Sequence, residues 1–550
     1  MNFYDPATKI WSNNVRSSIY NPKTSLGEVL LHSLKRTPDK ICEISDDYET
    51  FSTCHELQRR SIQVAESLKS DHDVKFGDIC AVVSRNNPEV SSVVFGCIFN
   101  GCPVNTLDPT FAQIDFDHML GLTRPKIIFG EKSVMLKIKR SIEKLKLRTK
   151  VFCFTSLDGT VEEGVTSVKD LFNRNVENLM ENYLPTRIED TSNHIALIMC
   201  SSGTTGLSKG VCLSHAQIVS QTIDFCSTNQ NSICFTFSSL YWITGYFFLL
   251  SGIISGSIRI ITTKAPSAEY FFELIEKHRI TECFLPPSMI AECLESQAIE
   301  LTDFSSLQKI YTGGSMVLED LREDLEKVSK AKVIVSYGMT EIGSACTTNF
   351  EQKAGSVGVP AKGNQIKIIS EEGKSLGPLE NGEICIKQPF MFLGYYGNEK
   401  AYREIKDSDG WLHTGDLGYF DENGYLFIVG RKKEMIKYKG YQISPGVIET
   451  IIQETTGLTQ VCVVAVEENK QGTDLPAAVI VLPKNFLLTQ DDIKAILDAN
   501  LDDIKKLRGG IYFVKNLPMT PSGKVQRREV KELANKLYQS KIHNLINYSS

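Results

Sequence analysis

The sequence predicts an α/β protein, with a large N-terminal domain of αβ layers and parallel-rich sheets followed by a smaller α+β domain. Three observations carry this. At 550 residues the chain exceeds what one hydrophobic core serves, so roughly two to four domain-sized units are expected. Short apolar runs alternate with helical stretches along most of its length. Between Gly410 and Gly430 the composition shifts to a Gly- and Asp-punctuated stretch that leads into the basic run Arg431-Lys432-Lys433, which marks a boundary.

Each element follows from local chemistry. Ile79 to Ser84 reads as a buried strand, Asn87 as an N-cap with Pro88 at the first helical position, and Val90 to Asn100 as a helix closed by Gly101. Pro103 to Leu107 returns as the second strand of a βαβ unit. The pattern recurs at Ile195 to Met199 and Val211 to Leu213, where Ser214-His215-Ala216-Gln217 reads as a capping box opening a helix through Gln221. Buried parallel strands under covering helices are the consistent arrangement. Beyond the boundary, a helix capped by Ser444 and Pro445, strands at Val461 to Val466 and Ala477 to Leu482, a helix after Thr489 and a strand at Gly510 to Val514 suffice for a small domain. The stretch from Leu240 to Ile258 is uncharged and long enough to span a bilayer, but Gly245, Gly252 and Gly256 interrupt it and αβ patterns flank it, so a buried core helix is expected.

Composition narrows the function. The chain is 42% apolar and 23% charged, near the globular average, which argues against global disorder. A net charge of −6 has the wrong sign for electrostatic nucleic-acid binding. Any anionic ligand must be held locally. Fifteen scattered cysteines without a Cys-x-x-Cys pair fit free thiols in a reducing compartment. The polar first residues lack a signal-peptide pattern, and the final Asn-Tyr-Ser-Ser is not a Ser-Lys-Leu address. A cytoplasmic protein is therefore expected.

The strongest local motif is Ser201 to Gly210, SSGTTGLSKG, set between two apolar strands. Its glycines let the backbone approach a polyanion, its hydroxyls and N–H groups donate to phosphate oxygens, and Lys209 adds a charge. It is not a Walker loop, because Ser208 and Gly210 flank the lysine. On its own it reads equally as a Ser/Gly-rich surface turn. Ser336-Tyr337-Gly338-Met339-Thr340-Glu341 offers an aromatic face for a purine, then a hydroxyl and a carboxylate suited to Mg²⁺ at phosphates. In isolation the ordinary strand-to-turn segment is the favoured reading of this hexapeptide, by roughly three to one. Asp416, in His413-Thr414-Gly415-Asp416, is an acceptor suited to vicinal ribose hydroxyls, or an Asx-turn residue serving its own backbone.

Together with Gly410 to Asp416, Gly430 to Gln442 and Pro518 to Lys524, these motifs give the chain a resemblance to the adenylate-forming superfamily, which includes acyl-CoA synthetases, 4-coumarate-CoA ligases and beetle luciferases. Five motifs run in the family's order from Ser201 to Lys524, and with the αβ texture of the N-terminal third the resemblance covers almost the whole chain. The resemblance implies a two-step reaction: a carboxylate attacks the α-phosphate of ATP to give acyl-AMP and pyrophosphate, then a thiol, usually coenzyme A, displaces AMP. It implies an N-terminal domain at 1–430, a hinge at 431–433 centred on Lys433, and a mobile catalytic domain at 434–550.

The family's roles pass to matching positions. Ser201, Ser202, Gly203, Thr204, Thr205, Gly206 and Lys209 resemble its phosphate loop; Gly314, Tyr337, Gly338, Thr340, Asp416 and Arg431 its nucleotide contacts; Thr340 and Glu341 its Mg²⁺ ligands. Lys524 resembles the adenylation lysine, and Lys437 and Gln442 the face presented for the thioester step. Gly313, Gly314 and Ser315 resemble the small-residue wall of the acid pocket.

The pocket is where the chain departs from the family. Trp242 stands where many relatives carry a histidine, beside Ile243, and reads as a gate on an apolar channel or as core packing. Gln221 lies where beetle luciferases have an arginine. The expected activity is an ATP- and Mg²⁺-dependent ligation of an apolar carboxylic acid, fatty or aryl-alkanoic, to coenzyme A. A luciferase-like monooxygenase and a catalytically silent ligand-binding paralogue are the alternatives.

Overall fold

A computed structural model describes residues 4–13, 21, 23–201, 208–225, 230–348, 353–438, 441–467, 474–483, 488–519 and 524–548, excepting the side chains of 223–225, 442, 490 and 541–548. Two mostly parallel sheets organise the larger part. In the first, strands Gly394–Tyr395, Lys209–Ser214, Ile195–Ser201, Val104–Leu107, Cys80–Val83, Ile127–Gly130, Lys150–Cys153 and Thr166–Ser167 lie side by side in that order. Cys80–Val83 is buried along its whole length, as a parallel strand covered on both faces requires. The second runs Val359–Pro360, Gly343–Thr347, Lys332–Met339, Lys309–Gly313, Glu282–Phe284, Ile233–Thr236, Ile258–Ile261, Ile41–Ser45 and Thr50–Thr53. A third, antiparallel sheet ends in Gly382–Lys387, Leu412–Phe420 and Leu426–Arg431.

The expected helix Ile243–Ser255 is 13 residues long and lies in the core between the sheets. No helix among the described residues is long and apolar enough to cross a membrane. After Arg431 a separate cluster of buried side chains, from Ile436 to Ala534, is built on strands Val461–Glu467, Asp474–Val481 and Gly510–Val514 and on helices Pro445–Thr456, Gln490–Asn500 and Arg527–Tyr548. The fourteen cysteines described are free and buried.

Four local expectations are corrected. The first βα helix begins at Val90 with Glu89 at its cap, because Asn87 Oδ1 accepts the Glu89 N–H in a preceding turn instead. Strand Lys209–Ser214 runs antiparallel to its neighbour Ile195–Ser201, so the two are not the parallel strands of a crossover. Ser214 does cap the next helix through Gln217 N–H, but the Gln217 side chain donates to the Glu341 carbonyl, so the box is only half formed. The Ser444 hydroxyl donates to Val429 O rather than to the helix it precedes. In each of the last two cases a partner distant in sequence outcompetes the local one.

Candidate functional site

The site lies at the carboxyl ends of strands Lys309–Gly313 and Lys332–Met339, a parallel pair aligned Gly313 to Ser336. Ligands of open α/β sheets collect at such ends, where backbone leaves the sheet. Gly313 is required by proximity: a Cβ there would sit 2.3 Å from Ser336 O. Gly338 is required likewise, since its Cβ would fall 1.9 Å from Gly343 O. These two absences let the chain fold back so that Tyr337, Thr340 and Glu341 share one turn.

Around Tyr337 the distant motifs meet. Its hydroxyl donates to Asp416 Oδ2 at 2.7 Å, and Arg431 Nε lies 3.0 Å from Asp416 Oδ1. Asp416 and Arg431 are cross-strand partners in the antiparallel sheet, which sets their pairing. Burial, then the Asp416 charge, pushes the Tyr337 phenol well above its ordinary pKa, so it is a donor throughout the physiological range. Lys524 arrives from the C-terminal part: a methyl group at Gly314 would lie 3.6 Å from its Cε and Nζ. Burial and the Arg431 guanidinium lower the Lys524 pKa, while Asp416 opposes them.

A second group of side chains adjoins the first. Glu341 is 4% exposed, and its Oε1 accepts from Tyr395 Oη at 2.7 Å. Lys209 Nζ stands 4.6 Å from the centre of the Tyr395 ring, a cation–π placement. Burial raises the Glu341 carboxyl; the Tyr395 bond and the charges of Lys209 and Arg431 pull it back. Sequence reasoning missed Tyr395. Its only signal is that strand Gly394–Tyr395 pairs beside Lys209–Ser214, which the sequence does not reveal.

The described residues hold no group of three or more His, Cys, Asp or Glu side chains placed for a metal. A cation at Thr340 and Glu341 would therefore take most of its oxygens from phosphates and water, the usual manner for Mg²⁺, and the single Glu341 carboxylate fits that role.

Some expected residues are placed elsewhere. Lys437 is exposed on strand Ile436–Tyr438, its N–H on Asp474 Oδ2, and among the described residues it has no hydrogen bond or ion pair with Tyr337, Asp416, Arg431 or Glu341. Gln442 faces Lys437 in backbone register, and its side chain lies outside the described residues, as do Ser202 to Gly206. Ser201 ends its strand opposite Lys209. Lys433 is exposed in a turn where Glu434 N–H and Met435 N–H both donate to Arg431 O. Ser315 is exposed beside Gly314. Trp242 is half-buried, edge-on to Tyr241 at 4.6 Å, and Tyr241 is edge-on to Phe111 at 5.4 Å. Ile243 opens the core helix. Gln221 lies near Gly343 and Phe247, its Nε2 on Gln388 Oε1 at 3.3 Å.

A family model described as AMP-binding enzyme matches residues 30–396, and one described as AMP-binding enzyme C-terminal domain matches residues 447–524. The chain is 30% identical over 533 residues to a protein of Dictyostelium discoideum named probable 4-coumarate–CoA ligase 1, covering 94% of this chain and 96% of that one. It is 31% identical over 468 residues to a luciferin 4-monooxygenase of Nipponoluciola cruciata, covering 83% and 84%. Among solved structures, an anthranilate CoA ligase in complex with anthranoyl-AMP matches with a TM-score of 0.84 at 20% identity, covering 94% of this chain and 98% of that one. At that identity the likeness is one of fold.

Proposed function

This chain belongs to the AMP-binding enzyme family, within the adenylate-forming superfamily, and we propose that it is an acyl-CoA synthetase joining an apolar carboxylic acid, fatty or aryl-alkanoic, to coenzyme A at the expense of ATP. The observation that carries the reading is the meeting of Lys524 with Gly314, Asp416 and Arg431, four residues from widely separated motifs.

In the first step a carboxylate oxygen of the acid attacks the α-phosphorus of ATP, and the bond to pyrophosphate breaks. Negative charge grows on the α-phosphate, and the Lys524 ammonium is the donor suited to stabilise it. Asp416 accepts from the ribose hydroxyls, Arg431 orients Asp416, and Tyr337 supplies the flat face for the purine. Lys209 and the Ser201 to Gly206 loop hold the outer phosphates. Mg²⁺ bound by Thr340 and Glu341 would neutralise phosphate charge. In the second step the coenzyme A sulfur attacks the acyl carbonyl, its thiol proton is lost, and AMP leaves. For this the division into 1–430, a hinge at 431–433 and a mobile 434–550 lets Lys524 withdraw and brings Lys437 and Gln442 round to the site. The aromatic set of Trp242, Tyr241 and Phe111 supports an apolar acid, with Trp242 as its gate.

Exchange of labelled pyrophosphate into ATP, screened across acids of varied length with and without coenzyme A, tests the reading. Acid-dependent exchange and CoA-dependent thioester are expected; no exchange with any acid overturns it. The likeness to a luciferin 4-monooxygenase favours one other outcome, in which oxygen attacks the same adenylate. Light from luciferin, ATP and oxygen without thiol would establish that instead.

A further inference from the structure

Glu383 occupies a place that the reaction just proposed does not use. It lies in strand Gly382–Lys387, where the ladder to Leu412–Phe420 slips between Glu383 and Cys385. A bulge of this kind leaves backbone groups without ladder partners. Here the Gly415 N–H is one of them, and Glu383 Oε1 accepts it at 3.2 Å. The other carboxylate oxygen, Oε2, accepts from Lys432 Nζ at 2.9 Å. Lys432 closes the circuit, its backbone N–H donating to Gly415 O at 2.8 Å.

The Gly415 peptide is thus held on both sides. Gly415 takes φ +72°, a left-handed turn that favours glycine, and the turn presents the next residue, Asp416, to Tyr337 and Arg431. Glu383 is 8% exposed, so its charge is a buried one matched by the half-exposed Lys432. His413 stands beside the pair, Nδ1 3.5 Å from Glu383 Oε2 and Nε2 3.6 Å from Asp407 Oδ2. Lys432 immediately precedes Lys433, the residue about which the C-terminal part would turn. Further along, Met316 touches Thr450, with its Sδ 3.6 Å from Thr450 Oγ1, so the two parts meet near Gly314 in this arrangement.

We propose that Glu383 is a positioning residue that latches Lys432 to the ribose-facing turn. The latch holds the C-terminal part where Lys524 reaches the nucleotide, and its opening separates adenylate formation from thioester formation. The inference rests on the two-step reading above. A rotation beginning at Lys433 pulls on Lys432, and the Glu383–Lys432 ion pair is the side-chain bond to the N-terminal part that lies next to that pivot in the sequence. Because Glu383 also grips Gly415, tension at Lys432 reaches Asp416, so the ribose grip loosens as the domain leaves.

Two variants test this in the full chain. Glu383→Gln keeps an acceptor for Gly415 N–H and removes the charge; Lys432→Met keeps the stem and removes the ammonium. By hydrogen exchange of the ligand-free protein, both should speed exchange of peptides covering 430–438 and 524–530 by about fivefold, the value of a partly exposed ion pair, with the Gly382–Lys387 strand unchanged. With the acid that wild type uses best, pyrophosphate exchange should fall by about the same factor, while thioester formation from the prepared adenylate and coenzyme A holds or rises. The double variant should lose no more than either single one. Unchanged hydrogen exchange in both variants overturns the latch, as does equal loss in both half-reactions, which marks a damaged ribose site. Wild-type protein inactive with every acid would refute the two-step reading, and hydrogen exchange would still decide whether the latch exists.

Discussion

Replacing Tyr395 by Phe removes one atom from the site and leaves the ring under Lys209 in place. The lost hydroxyl donates to Glu341 Oε1 at 2.7 Å, inside a pocket where Glu341 is 4% exposed. Water does not replace it without rearrangement. A hydrogen bond to a charged group is worth roughly 1.5–3 kcal/mol, and the stranded carboxylate bears that loss while ionised. Burial already raises the Glu341 carboxyl and the Tyr395 bond lowers it, so the variant carries a still higher value. The sign follows. The destabilisation is full above the variant's raised pKa, and falls toward about 1 kcal/mol once both proteins are protonated at Glu341. Urea unfolding at several pH values measures it. In the pyrophosphate-exchange assay the acid limb of the rate profile should move to higher pH, because the carboxylate proposed to hold Mg²⁺ ionises later. A Tyr395→Phe protein with unaltered stability at neutral pH and an unmoved acid limb would refute the reasoning.

Lys524→Ala should lower the rate of adenylate formation by about 10²–10³ with little change in ATP affinity, seen in single-turnover pyrophosphate release. Because burial and Arg431 depress the Lys524 pKa, wild-type adenylate formation should also decline with rising pH earlier than an ordinary lysine would dictate. Gly338→Ala places a methyl 1.9 Å from Gly343 O, so it should cost about 3 kcal/mol or more, or displace the Glu341 turn and abolish exchange; melting and activity together distinguish the two. His215 accepts the Leu26 N–H through Nδ1, and burial, with His194 nearby, lowers its pKa to about 3. The unfolded chain binds the proton from about pH 6.5 down, so stability should fall with pH in that window, by about 2 kcal/mol at pH 5. His215→Gln should remove that increment from the difference between urea midpoints at pH 7 and pH 5.

Much of the fold was legible because burial writes itself into local periodicity. The Gly510–Val514 strand and the capped helix after Thr489 need only near neighbours, and the structure places them as expected. Where a residue had a distant option, local reading failed. Gln217 matches a capping box, yet its amide serves the Glu341 carbonyl, and Ser444 bonds Val429 O across the junction. The antiparallel strand Lys209–Ser214 misled for a related reason: an apolar strand after an apolar strand carries no mark of its direction.

By itself the sequence offered a set of chemical groups: glycines where backbone must approach closely, a lysine and hydroxyls suited to phosphates, Asp416 and Arg431 proposed for a ribose, Lys524 near the end of the chain. Tertiary structure alone decided which of these meet and what supports them. Tyr395 stands beside Lys209 and Glu341 because its strand pairs with Lys209–Ser214, with Tyr395 opposite Val211, and Glu383 reaches Lys432 because a bulge turns one carboxylate toward a peptide and an ammonium. The physical reason is range. Periodicity and capping act over a few residues, whereas a hydrogen bond across a sheet depends on register, and register is set by the packing of the whole domain.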